Sequence, residues 1–372
     1  MDQSTSTAFP ALRRPVPMNL IFRLRWSVAV CASVLMLGIP AVAQDQEQEN
    51  QFEEWQRAEL RSLVEVVNAA LQGQVVPTEK PFQLKADFLK GSDGTTYVPF
   101  TLTIDPAKVG SSSIAMYLFV TEHMAETAAV PDEQAEPEPV SPREALFEDA
   151  YFINVGGEPT AAQAVHISRA FTVPGGDYDV FIAVRDSAGE PSEGDPESET
   201  ATVMMLKEEI TVPELWNAGL QTSSVLVTEL IEPIAQPLTP DQQKASPYTL
   251  GTTRILPKHD YTFEKQEELS LVFLVYNPSL TPEQMPDVTI EYTFHQQSLD
   301  GEEVFNNTNP QQFNAQTLPP GFDMSVGHQI VAGQAVPLSL FPAADYRLEI
   351  KVTDNGSGSV VTKDVSFTVQ ET

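Results

Sequence analysis

Residues 174–186 read PGGDYDVFIAVRD, and residues 342–354 read PAADYRLEIKVTD. Pro174, Asp177, Tyr178, Val180, Ile182, Val184 and Asp186 recur, in the same order and spacing, as Pro342, Asp345, Tyr346, Leu348, Ile350, Val352 and Asp354. In each copy a turn delivers a tyrosine into a segment of period two. The alternating apolar residues therefore share one face of a strand. The tyrosine can bury its ring while its hydroxyl reaches a nearby backbone group. A repeat of this kind implies two similar structural units along the chain.

Outward from the first copy, Phe82, Leu84 and Ala86 alternate with polar residues, as do Phe100, Leu102 and Ile104. Ile114 to Val120 is a near-continuous apolar run, expected of a central strand. Further strands are expected at 150–155, 165–173, 178–184 and 202–210. Around the second copy they are expected at 225–231, 248–256, 269–276, 288–295, 336–340, 346–353 and 363–369. Short β-rich runs parted by Gly, Pro, Asp and Asn indicate an all-β fold. The stretch 131–142, PDEQAEPEPVSP, has too little apolar content to pack and reads as a mobile insertion. Residues 186–199, 233–247 and 300–327 read as loops. Val212-Pro213-Glu214 marks a junction. The expected organisation is a signal peptide at 1–43, a helix and linker at 44–76, and β-sandwich domains at 77–213 and 214–372. The helix is read over about 51–72: Leu60, Leu63, Val64, Val67 and Leu71 fall at helical spacing, Asn50 with Glu53 resembles a capping box, and Gly73 fits the stop. Its single apolar stripe predicts packing on the first sandwich.

The two tyrosine segments resemble the penultimate strand of immunoglobulin-like and fibronectin-III-like sandwiches, where the tyrosine begins the strand and forms a tyrosine corner. On that resemblance Tyr178 and Tyr346 make the corner. Val180 and Leu348 stand where an antibody domain places its disulfide cysteine, and no Trp occurs in the central strands, which excludes antibody-type domains. The stretch from Leu226 to Tyr276 is similar to exported proteins of some soil and marine bacteria, a likeness of strand pattern that implies no activity. The fold class expected is mainly β: two tandem antiparallel Ig-like sandwiches preceded by a short amphipathic helix.

Arg23 and Arg25, an apolar run from Trp26 to Ile39, and the small-x-small pattern ending at Ala43 have the three-part layout of a cleavable signal peptide. Met1 and Met18 are alternative candidate starts. The run is shorter than the ~18 residues of a spanning helix. Cys31 is the sole cysteine. Residues 44–372 can therefore form no disulfide, thiolate nucleophile or cysteine metal site. The net charge of −31 disfavours nucleic acid and anionic membranes and favours cationic partners.

No catalytic constellation emerges. His123, His166, His259, His295 and His328 are too far apart in sequence for a compact zinc pair. Asn355-Gly356-Ser357-Gly358-Ser359 lacks the helix that a nucleophile elbow requires and reads as a flexible turn. Asp186, Glu190, Glu193, Asp195, Glu197 and Glu199 crowd hard oxygen donors into one loop without EF-hand spacing, leaving calcium as a hypothesis. Trp55 and Trp216 are placed for packing rather than for stacking on sugar. Asn306 and Asn355 begin glycan acceptor patterns. The expectation is a non-catalytic extracytoplasmic interaction or scaffold protein without metal or cofactor, whose partner is another envelope or extracellular protein. The alternative is a glycan- or calcium-dependent adhesin-like module.

Overall fold

The computed structural model describes residues 52–74, 81–110, 112–124, 143–155, 164–189, 203–299 and 301–371. These residues fall in one compact unit. The chain is mainly β, and among the described residues all but one of the strand pairings are antiparallel. The stretch 131–142, the signal-like segment and Asn50 lie outside the described residues.

Helix α1 (Glu54–Leu71) opens the described chain. It starts later than the expected residue 51, because the capping interaction is set one turn on: the Glu53 N–H donates to Gln56 Oε1 at 2.8 Å. Strands β1 (Phe82–Ala86), β2 (Leu89–Lys90), β3 (Thr96–Ile104), β4 (Ser113–Glu122), β5 (Phe147–Asn154), β6 (Val165–Val173), β7 (Gly176–Asp186) and β8 (Met204–Val212) follow. They form two sheets. In one, β3 is flanked by β1 and β2 on one side and by β6 on the other. The other has the order β5-β4-β7-β8. Phe100, Leu102 and Phe171 of the first sheet meet Met116, Leu118, Val180 and Ile182 of the second in one core.

The later strands are β9 (Gln221–Thr222), β10 (Leu226–Pro233), β11 (Thr249–Leu250), β12 (Thr253–Pro257), β13 (Thr262–Glu264), β14 (Glu268–Tyr276), β15 (Val288–Ser298), β16 (Gly301–Asn307), β17 (Gln311–Phe313), β18 (Ile330–Pro337), β19 (Ala344–Asp354) and β20 (Val360–Gln370), with helix α2 (Pro240–Ala245) between β10 and β11. They also form two sheets. One has the order β11-β12-β10-β14-β18, with β9 on β14. The other has the order β13-β20-β19-β15-β16, with β17 on β15. The β13–β20 pairing is parallel. Leu271 and Phe273 pack against Tyr292, Phe294, Leu348 and Ile350 in a second core.

Several expected boundaries are corrected. Residues 248–256 are not one strand: Gly251, at φ +59°, lets the chain fold back between β11 and β12. The strand expected at 336–340 lies earlier, as β18, and residues 338–340 form a 3-10 turn after Pro337, which has no N–H to extend the ladder. The 233–247 loop contains α2, where Thr239 Oγ1 accepts from the Gln242 N–H and Gln242 Oε1 accepts from the Thr239 N–H. The 300–327 loop contains β16 and β17.

The two cores sit under different outer faces. Along β4, Ile114, Met116, Leu118 and Val120 point to the core, while Ala115, Tyr117 and Phe119 point outward with Phe181 and Ala183 of β7. Leu60, Leu63 and Val67 of α1 cover that outer face. The corresponding outer positions of β15 and β19 are Thr289, Glu291, Thr293, Arg347, Glu349 and Lys351, none of them fully buried. Apolar outward residues demand a cover, and burying each Leu or Val of the helix contributes roughly 1.5–3 kcal/mol.

Candidate functional site

Both copies of the repeat form the same arrangement. Tyr178 Oη donates to the Pro174 carbonyl at 2.9 Å, and Tyr346 Oη donates to the Pro342 carbonyl at 2.9 Å. Thr211 Oγ1 donates to Asp177 Oδ1 at 2.6 Å, and Thr368 Oγ1 to Asp345 Oδ1 at 2.6 Å. The closing aspartates tie down the segment after β3 or β14. Asp186 accepts from the Gly110 N–H at 3.0 Å, and Asp354 accepts from the Ser279 N–H at 2.8 Å. An open hollow lies over each corner. One, of about 280 Å³, includes Asp177, Tyr178 and Thr211 beside His123 and Glu209. The other, of about 430 Å³, includes Asp345, Tyr346 and Thr368 beside Gln297 and Tyr261.

A charged cluster surrounds Asp179 on β7, whose side chain is 1% exposed. His123 Nδ1 lies 2.8 Å from Asp179 Oδ1, Arg143 donates to Oδ2 at 2.7 Å, and Lys207 Nζ is 3.3 Å away. Burial pushes the pKa of this carboxyl up, but His123, Lys207 and Arg143 outweigh it and hold the group below the ordinary aspartate range. The bond to Asp179 raises the pKa of His123. Ligand atoms of His123, Asp179 and Glu209 lie within 4.8 Å of one another. Two cationic side chains already contact Asp179, and Lys207 also approaches Glu209 at 3.8 Å. A metal ion would have to displace them, so the donor set fits an ion-pair network rather than a cation cage. Sequence reading left a site from distant residues open without naming this one. His123, Asp179 and Glu209 come from three strand segments, and no spacing rule joins them.

The other histidines are placed separately. His166 and His295 lie on strands, as expected. His166 stacks on His259 with ring centroids 4.1 Å apart. His295 Nδ1 is 3.9 Å from Glu302, and His328 Nδ1 accepts from the Asp323 N–H. Asn355–Ser359 forms the turn between β19 and β20, with Asn355 Nδ2 donating to Asp287 and Thr289. Of the acidic loop, Asp186 is described, and Glu190, Glu193, Asp195, Glu197 and Glu199 lie outside the described residues. The indole of Trp55 packs on Phe152 and donates to Glu53. That of Trp216 donates to the Thr95 carbonyl at 2.7 Å, with Lys90 over its ring.

A set of contacts joins the two sheet pairs. The segment between β10 and β14 reaches across to the outer face of the β1/β3/β6 sheet. Tyr97 Oη donates to the Pro247 carbonyl at 2.9 Å, and Tyr248 Oη donates to Asp87 Oδ2 at 3.0 Å, while Lys244 pairs at 3.2 Å with Asp149 on β5, the edge strand of the neighbouring sheet. Lys85 contacts Tyr261. Leu89, Leu215, Leu274 and Tyr276 form an apolar patch beneath. Asp87 is 4% exposed, and its burial raises its pKa.

Among solved structures, the chain is similar to trypsin-activated alpha-2-macroglobulin from Escherichia coli, at 11% identity and a TM-score of 0.20 over 78% of this chain and 17% of that one. A mutant alpha-2-macroglobulin from Salmonella matches at 11% identity and a TM-score of 0.17, over 79% and 17%. The native conformation of the Escherichia coli protein matches at 11% and 0.17, over 78% and 16%. The chain thus spans about a sixth of those proteins, and likeness at this level carries no functional argument. No family model and no curated protein matches the chain. Among the described residues, no helix is long and apolar enough to cross a membrane.

Proposed function

We propose that this chain is a non-catalytic, extracytoplasmic interaction or scaffold protein built from two Ig-like β-sandwiches, residues 77–213 and 214–372. The sandwich assignment is supported by the two tyrosine corners and by a separate core under each pair of sheets. Export is supported by the layout of residues 23–43. The observation that carries the reading is the fixed joint between the sheet pairs, in which a buried Tyr248–Asp87 hydrogen bond and an apolar patch hold the two cores together. A braced pair presents its edges and loops in constant relative positions, which suits a platform for partners and requires no reactive centre. The Asp179 carboxyl, the best placed for chemistry, is engaged by three cationic or hydrogen-bonding neighbours. The acidic surface favours a partner with a cationic face.

The test is affinity capture from envelope extract of the source with the immobilised chain, with and without chelator. A discrete protein band unaffected by chelator is expected. Retention of polysaccharide in place of protein, lost with chelator, would overturn the scaffold reading in favour of an adhesin-like module.

A further inference from the structure

We propose that the stacked His166–His259 pair makes the joint between the two sheet pairs acid-labile, so that protonation of these rings releases the segment carrying Tyr248 and His259 from the outer face of the β1/β3/β6 sheet. His166 sits on β6, and His259 follows β12 at the end of the segment that crosses from the second sheet pair. Their rings lie 4.1 Å apart and 14° from parallel. Two neutral imidazoles stack favourably, whereas two imidazolium ions at that separation repel. The surroundings sharpen the effect. Lys85 of β1 adds a third positive charge near His259, and it contacts the next aromatic residue, Tyr261. Thr103 of β3 meets His166 Nδ1 at 3.2 Å. The acidic groups facing the pair are Glu229 and Asp260, and Asp260 is already paired with Lys258 at 3.3 Å.

The pKa directions agree with this geometry. Burial lowers His166, against the pull of Glu229 and Asp260. Burial, His166 and Lys85 together push His259 down to about 4. In a released segment both rings titrate near the ordinary value of ~6.5. Between those values the released form binds protons that the closed joint does not, so a fall in pH favours release. Two other titratable contacts cross the joint. Asp87 has a raised pKa and takes up its proton in place, which favours closure on acidification. The other is the Lys244–Asp149 ion pair, 3.2 Å apart.

Hydrogen exchange of the full chain, corrected for intrinsic rates, tests the proposal. Protection of peptides covering 82–90 and 246–261 is expected to fall between pH 7.5 and pH 5. The His259 difference contributes at most about thirtyfold, reduced by solvent screening, and the lowering of His166 adds in the same direction. The paired substitution His166→Phe with His259→Phe keeps the ring stack and should abolish the acid response. Lys85→Gln, which leaves both rings, should reduce it. Unchanged protection in the wild type at pH 5, or an equal acid response in the Phe–Phe variant, overturns the proposal.

Discussion

The twin tyrosine corners permit a quantitative test of how tightly the two halves are joined. Tyr178→Phe and Tyr346→Phe each remove a hydroxyl that donates to a proline carbonyl at 2.9 Å. Both rings are at least 96% buried. A net hydrogen bond contributes about 1 kcal/mol, and an orphaned carbonyl raises the loss to roughly 1–2 kcal/mol. Identical geometry predicts equal costs, and the corners are distinct enough for the costs to add. The joint sets how this shows in calorimetry. Unfolding entropy of about 2.1 cal/mol/K per residue gives a Tm shift of ~1.5 °C per kcal/mol for a cooperative body of roughly 300 residues, and about twice that for a half unfolding alone. Each single variant should therefore lower one shared Tm by about 2–3 °C, and the double variant by about twice as much. A loss below ~0.3 kcal/mol from either variant, or a shift of ~4–6 °C confined to one of two transitions, would refute the reasoning.

Other outcomes follow from particular contacts. Leu63→Ala, at a side chain of α1 that is 0% exposed, should cost about 2–5 kcal/mol in denaturant unfolding, while Leu340→Ala, 86% exposed, should cost almost nothing. His123→Gln should destabilise more at pH 5.5 than at pH 9. The bond to Asp179 raises the folded pKa of His123, so its contribution is complete below the unfolded value of ~6.5 and is lost as pH rises through the folded one. Asp87→Asn should be neutral or stabilising at pH 7 in thermal melts. It removes a carboxyl whose pKa burial raises and leaves an oxygen to accept from Tyr248.

Much of the β architecture was legible because period-two patterning survives wherever one face of a strand is wet. The second half of the chain shows this in β15 and β19, with Tyr292 and Ile350 inward and Glu291 and Lys351 outward. The repeat identified the two tyrosines and their reach to a nearby backbone group, and the structure adds that the acceptors are the carbonyls of Pro174 and Pro342. The run Ile114–Val120 was read as a central strand, and its outward half has a further meaning: it is apolar because α1 covers it. What patterning could not reveal is contact between residues distant in the chain. Gly251 breaks a segment that reads as one strand, and α2 sits in a Gln-rich stretch that resembles a loop. The stack of His166 on His259 and the grip of His123, Arg143 and Lys207 on Asp179 depend on which strands become neighbours. No local periodicity encodes that. The short parallel β13 has three residues, too few for any pattern to register.

The most direct test of a braced platform is differential scanning calorimetry of the full chain at neutral pH, with the fluorescence of Trp55 on α1 and Trp216 at the joint followed in parallel. The account predicts one transition, coincident by both probes, with equal calorimetric and van't Hoff enthalpies. Two separated transitions, with the Trp216 signal changing before either core melts, would show that the sheet pairs move independently and would contradict it.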